Sequence, residues 1–332
     1  MIQFIGIEET HIRQMAVLLA KRHERERKVF PYFPVKFEEI DETEVVIRKM
    51  LERPYISGIV AVRGIDVLGY LLYEFREDAH RGRYVFMDYE SVVISEHEHP
   101  HLLRLLYADA GAEWVKHGYF QHVLVSPLGD QAVVNEWLDQ SFAFEQKYSI
   151  LSLEQYNPQD RELPEDLVFR KGGKEDAALL KKMALWNSIH QADAPSWHPI
   201  TRETMNSVKR SYEALLNDEE AFLWIAEQGE RIAGFHVYFR KNDSNSLVTP
   251  ENCWELRAAS TNPELRGKGI GRALANYCFT ELKNADIDYI FADWHTPNQL
   301  SSYFWPKLGF EPVMVRMSRH IDSRITWAHG KE

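Results

Sequence analysis

Residues 266–271 read Arg266-Gly267-Lys268-Gly269-Ile270-Gly271, and the apolar residues after them recur at helical spacing. Together they predict a glycine-rich loop that runs into a helix. Such a loop suits an anion, because glycines let backbone N–H groups turn inward with no Cβ in the way, and the positive end of the helix adds attraction at the same point. A phosphate-bearing ligand is the first expectation for this chain.

Spacing separates the possible loops. An ATP-type loop needs Gly-Lys-Ser/Thr, but Lys268 is followed by Gly269. A dinucleotide loop follows its strand almost at once and has an acidic residue about twenty positions on, a condition that Asp293 meets. Against it, the strand carrying Leu256, Ala258 and Ser260 is separated from Gly267 by Thr261-Asn262-Pro263-Glu264-Leu265-Arg266, and Leu274 stands where the third glycine belongs. What remains is Arg-x-x-Gly-x-Gly after a strand and a Pro-Glu corner, which resembles the acyl-CoA motif of the GNAT superfamily of N-acyltransferases. Downstream, Ile270, Ala273, Leu274, Tyr277, Cys278 and Leu282 fall on one helical face, Tyr289 to Ala292 reads as a buried strand, and Asn298 opens a second helix. Lys307-Leu308-Gly309-Phe310 then resembles the segment that closes the family's second cofactor motif.

The chain reads as two copies of one plan. Gly64 and Gly69 recur as Gly229 and Gly234, Glu90 as Glu255, and Phe144-Glu145 as Phe310-Glu311, at separations of 165 or 166 residues. Between the halves, residues 153–167 carry two prolines and five acidic residues without apolar period, the composition of a linker. The expected organisation is therefore an α/β protein with mixed sheets: a first GNAT-like domain over residues 1–152, a linker over 153–167, and a second GNAT domain over 168–332. In the first copy the glycine loop is replaced by His101-Leu102-Leu103-Arg104-Leu105-Leu106. Its Cβ atoms would occupy the place where backbone must touch pyrophosphate, so only the second domain is expected to bind the cofactor.

A net charge of −11 repels polyanions and disfavours nucleic-acid partners. Two cysteines, Cys253 and Cys278, are too few for a disulfide framework. With no uninterrupted apolar stretch, neither a signal peptide nor a membrane span is expected, and the reading is a cytoplasmic monomer or homodimer. His97-Glu98-His99-Pro100-His101 has alternating imidazoles, but it lacks a fourth ligand, and no metal is expected.

The resemblance implies acetyl-CoA as the acyl donor and a primary amine, on a small molecule or a protein, as acceptor. The N–H groups of Gly267, Lys268, Gly269, Ile270, Gly271 and Arg272 would hold the pyrophosphate, with Arg266 also counted among the cofactor-binding residues. Backbone of Ala259, Ser260 and Thr261, with Asn298, would hold the pantetheine arm. An alkylammonium has a pKa near 10 and must lose a proton before it attacks. Glu255 resembles the general base of some family members, its alternative being a rim salt bridge with Arg257, while Asp293 and His295 end the next strand and could also take the proton. The usual family acid is a tyrosine seven residues after the asparagine, and here Trp305 stands there. That departure keeps alive a non-catalytic acetyl-CoA sensor or scaffold, and Asp293 alone supports a nicotinamide-dependent oxidoreductase.

Overall fold

The computed structural model describes residues 1–78, 81–158, 166–183, 185–215, 221–241, 243 and 245–330. The chain forms two compact units that each take most of one sequence half. The last strand of each half is an exception, as is the segment Asn245–Val248, which belongs to the first unit. Residues 312–332 belong to the first unit, and residues 149–152, which end a strand begun in the first unit, belong to the second.

The first unit starts with β1 (Gln3–Gly6), a long α1 (Glu9–Val29) and α2 (Ile40–Leu51). A meander of β2 (Ile56–Arg63), β3 (Asp66–Asp78), β4 (Gly82–Met87) and β5 (Val92–Ile94) comes next, then α3 (Leu102–Lys116), β6 (Gln121–Pro127), α4 (Gln131–Leu138) and β7 (Ala143–Ser152). Its strand order is β1-β2-β3-β4-β6, with β5 on β3, and β4 runs parallel to β6. The strand beside β6 comes from the C-terminus of the chain, with Met314 opposite Pro127 and His320 opposite Gln121 in antiparallel register. Val315 and Met317 of that segment are buried in the same core as Leu103, Leu106 and Trp114 of α3.

The second unit contains β8 (Leu167–Lys171), α5 (Ala177–Met183), α6 (Leu185–Ala192), α7 (Arg202–Leu215), the hairpin β9 (Phe222–Gln228) and β10 (Arg231–Arg240), β11 (Cys253–Thr261), α8 (Ile270–Asn284), β12 (Tyr289–His295) and α9 (Gln299–Lys307); β13 (Glu311–His320) closes the chain. Its sheet runs β12-β11-β10-β9-β8. The end of β7 joins this unit through Ser149 Oγ, which donates to the Ala292 carbonyl at 2.8 Å, and Leu153 N–H, which donates to that of Asp288 at 2.9 Å. One sheet face packs Leu274, Cys278, Phe279 and Leu282 of α8 with Trp305 and Phe310; the other packs Leu180 and Met183 of α5 on Phe235, Val237 and Ala258. Both cysteines are buried and unpaired.

The repeated glycines keep one job in both units. Gly64 and Gly229 turn the corresponding hairpins with φ of 67° and 58°, values that favour glycine. At Gly69 a Cβ would come within 2.9 Å of the Val93 carbonyl, and at Gly234 within 2.9 Å of that of Ser260, so neighbouring backbone forbids a side chain at either place. The Glu90–Glu255 correspondence is different. Glu255 is paired with Phe239; its counterpart in the first unit, opposite Glu74, is Phe86. Glu90 lies instead in the break between β4 and β5, where the chain is two residues longer than its counterpart on β11. Spacing alone could not register that insertion.

Candidate active site

The site grows from a failure of strand pairing. Strands β11 and β12 are parallel partners only over Cys253–Tyr289, Trp254–Ile290 and Glu255–Phe291. Beyond that point each continues, β11 to Thr261 and β12 to His295, without pairing to the other. On its far side β11 stays in register with β10, apart from a bulge: Ala258 faces Val237 and Leu256 faces Tyr238, leaving Arg257 as the extra residue. A bulge bends its strand and reverses the facing of the residues beyond it. Leu256 and Ala258, two apart, accordingly pack on opposite faces of the sheet, where simple alternation predicts one face for both.

In the split lies a cleft of about 190 Å³ lined by backbone and side chains of 256–259 and 292–295, by Asn298, Ser301 and Trp305, and by Asn187 and Gln191 of α6. Asp293, His295, Asn298 and Ala259 are thus brought together. Glu255 is not among the lining residues. Its Oε2 accepts from Lys241 Nζ and its Oε1 from Arg257 Nη1, both at 3.1 Å. Burial pushes its pKa up, but the two cations outweigh burial and hold the carboxyl below its ordinary range. This is the salt-bridge alternative.

The glycine loop lies one step further. After β11, a single 3-10 turn at Pro263–Leu265 leads to Gly267 and Gly269, with φ of 83° and 84°, and Gly269 caps α8 without any side-chain bond. A Cβ on either glycine would meet nothing within 4 Å, so the space before the helix end is open. Among the described residues, none accepts a hydrogen bond from the backbone N–H groups of residues 267–271. Gly271 differs: a Cβ there would sit 2.9 Å from Thr261 Oγ1, so this glycine serves close packing of helix on strand. Arg266 reaches back, its Nε donating to the Thr261 carbonyl at 3.4 Å. Asn187 Nδ2 takes the Ala259 carbonyl at 3.1 Å. Two carbonyls of the segment expected to meet the pantetheine arm are therefore already engaged.

The matching end of the first unit is closed. N–H groups of Leu102, Leu103 and Arg104 donate to the carbonyls of His99, Pro100 and His101 at 2.9–3.0 Å, and Leu102, Leu103 and Leu106 are buried. An anion would find neither free amides nor room at the start of α3. In the adjoining histidine run, Glu98 is paired with Arg63, and His99 Nδ1 accepts from His101 N–H at 3.1 Å.

Asn298 plays two parts. Its Oδ1 accepts from Ser301 N–H at 3.2 Å, capping α9, and lies 3.2 Å from His190 Nε2 on α6. The His198 and His295 rings lie 5.4 Å apart. Sequence reading singled out neither Asn187, His190 nor Gln191, because their i, i+3, i+4 spacing on a short helix resembles any exposed polar face. Trp305 is buried, its ring against Phe304 and Phe310 at 4.8 and 5.5 Å. Tyr303 is exposed beneath Lys307, whose Nζ lies 3.5 Å from the ring centre, and it does not line the cleft. His236 faces away from Phe235 and Val237, buried, with Nδ1 2.9 Å from the Tyr238 hydroxyl; burial alone drives its pKa down to about 3. It is a structural imidazole.

Residues 186–310 match the family model described as the acetyltransferase (GNAT) family. Among solved structures, a tandem GNAT protein from the clavulanic acid biosynthesis pathway is 14% identical and covers 96% of this chain and 98% of its own, with a TM-score of 0.50. A GCN5-related N-acetyltransferase from Sphaerobacter thermophilus is 15% identical, covering 96% and 95%, at 0.56. A glucosamine N-acetyltransferase region of a fungal multi-domain β-N-acetylglucosaminidase is 14% identical, covering 96% of this chain and 38% of that one, at 0.55. At such identities the likeness is one of fold. No curated protein matches the chain. Among the described residues, no helix is long and apolar enough to cross a membrane.

Proposed function

With residues 186–310 a GNAT-family domain, we propose that this protein transfers an acetyl group from acetyl-CoA to a primary amine by direct attack. The observation that carries the proposal is the pairing of two open features: strands that separate after Glu255 and Phe291, and a helix end whose amides face open space. The diphosphate is held by N–H groups of residues 267–272, with Arg266 and Lys268 flanking them. The pantetheine arm runs along β11 past Ser260 and Thr261 toward Asn298, which places the thioester in the split.

The chain's own groups then have distinct tasks. Holding amine and thioester in register replaces about 7–11 kcal/mol of barrier, so a site of this kind works with modest acid–base help. Asp293 or His295 takes the ammonium proton, and the neutral nitrogen forms the C–N bond as the C–S bond breaks. The acylated nitrogen, cationic until it loses its second proton, gives that proton up, and it reaches the departing sulfur through solvent or a serine hydroxyl acting as a relay, a part the indole N–H of Trp305 cannot play. Glu255, held between two cations, keeps Arg257 in place rather than accepting the proton. Thiol release measured over a panel of primary amines tests the reading. Trp305 supports one rival, an acetyl-CoA sensor that never turns over, and CoA binding without thiol release on any amine would establish it. A nicotinamide enzyme gains nothing from the fold, because a 3-10 turn replaces the tight strand-to-helix connection that its loop requires.

A further inference from the structure

The bulge on β11 sets an arginine on the lining of the cleft. Arg257 is its extra residue, and it is the one Arg or Lys among the described residues lining the cleft. Its guanidinium is held from one side only, by Nη1 to Glu255 Oε1 at 3.1 Å. Glu255 is fixed in turn by Lys241, whose Nζ also lies 4.3 Å from the centre of the Phe291 ring. The remaining edge of Arg257, Nε and Nη2, has no partner among the described residues, and the side chain is 65% exposed. That edge presents two parallel N–H groups, the geometry that grips a carboxylate bidentately. Arg257 and Asp293 each lie two residues past the last paired position, Glu255 with Phe291, on the two sides of the split. Arg257 and Asp293 thus both line one small polar cleft, together with Asn187 and Gln191. The chain as a whole is strongly anionic, so attraction for a negative group has to be local, within the roughly 8 Å over which charges act in physiological salt.

Resting on the acetyl-transfer reading, we propose that the acceptor is a small primary amine that also bears a carboxylate, as an amino acid does: Arg257 grips the carboxylate and Asp293 receives the ammonium. Hydrogen bonds to a charged group make this a roughly ten- to hundredfold preference over the same amine with its carboxylate masked.

The experiment compares amino acids with their carboxamides as acceptors, in wild type and Arg257→Gln, with CoA affinity measured alongside. The expected result is a tenfold or greater kcat/KM ratio of acid over amide in wild type. In the variant that ratio falls to about one, with CoA affinity unchanged. Equal use of acid and amide by wild type, or an Arg257→Gln variant that weakens both alike, would overturn the proposal. Should no amine release thiol, the same pairs are titrated calorimetrically into the CoA-loaded protein. A preference for the acid that disappears in Arg257→Gln then upholds the carboxylate seat while defeating acetyl transfer, and no preference defeats the seat.

Discussion

Replacing Gly269 with aspartate separates folding from cofactor binding. Gly269 has φ of 84°, and a Cβ there meets nothing within 4 Å. The folding cost is therefore conformational, about 1–2 kcal/mol for a side chain in the left-handed region. A negative group at a helix N-terminus returns about 0.3–1 kcal/mol. The net loss, about 1 kcal/mol, lowers Tm by roughly 2–4 °C for a domain of this size. Binding suffers far more. A carboxylate about 4 Å from a phosphate repels it by about 4 kcal/mol at an effective dielectric of 20, which is roughly a thousandfold in Kd. Calorimetric titration with CoA reads the second quantity and thermal melting the first. A Kd within threefold of wild type, in a protein that melts normally, would refute the assignment of the loop.

Individual contacts give three further expected outcomes. Gly271→Ala forces its new Cβ against Thr261 Oγ1 at 2.9 Å; CoA affinity and Tm should both fall, and Thr261→Ala in the same chain should restore them, whereas no rescue would put the strain elsewhere. Glu255→Gln removes the anchor of Arg257, so KM for the acceptor should rise with the shape of the kcat–pH profile retained; loss of an acidic limb from that profile would return Glu255 to the role of base. For His236, burial holds the folded pKa near 3 against an ordinary 6.5, so the unfolded chain binds the extra proton between those values. Stability contributed by its neutral form is complete above pH 6.5 and declines as pH falls toward 3, by up to about 1.4 kcal/mol per pH unit. Denaturant titrations of His236→Gln and wild type should show the difference between them narrowing or reversing as pH drops from 7 to 4, and a constant difference would contradict a buried neutral imidazole.

The glycine loop was legible because Gly267 and Gly269 have a local cause, a backbone conformation that favours glycine, written in the residue itself. The third glycine was legible as a residue but not as a reason, since its need arises from Thr261 on another element. The repeat was readable at Gly64 and Gly229 for the same local cause. It misled at Glu90, because an insertion between β4 and β5 shifts register without leaving a sequence mark. Nothing in the amphipathic character of β7 and β13 says which sheet each will join, so residues 149–152 and 312–332 escape any reading by linear halves. Residues of α6 were missed for a related reason: Asn187 and His190 reach partners, Ala259 and Asn298, about 70 and 110 residues away.

On the proposed reading, free amides at the start of α8 seat a diphosphate, while the start of α3 uses its amides internally and has no seat to offer. Calorimetric stoichiometry for CoA on the whole chain tests this most directly. The expected result is a single site per chain, abolished by Gly269→Asp and untouched by Leu102→Ala. Two sites per chain, or one that survives Gly269→Asp and disappears with Leu102→Ala, would contradict it.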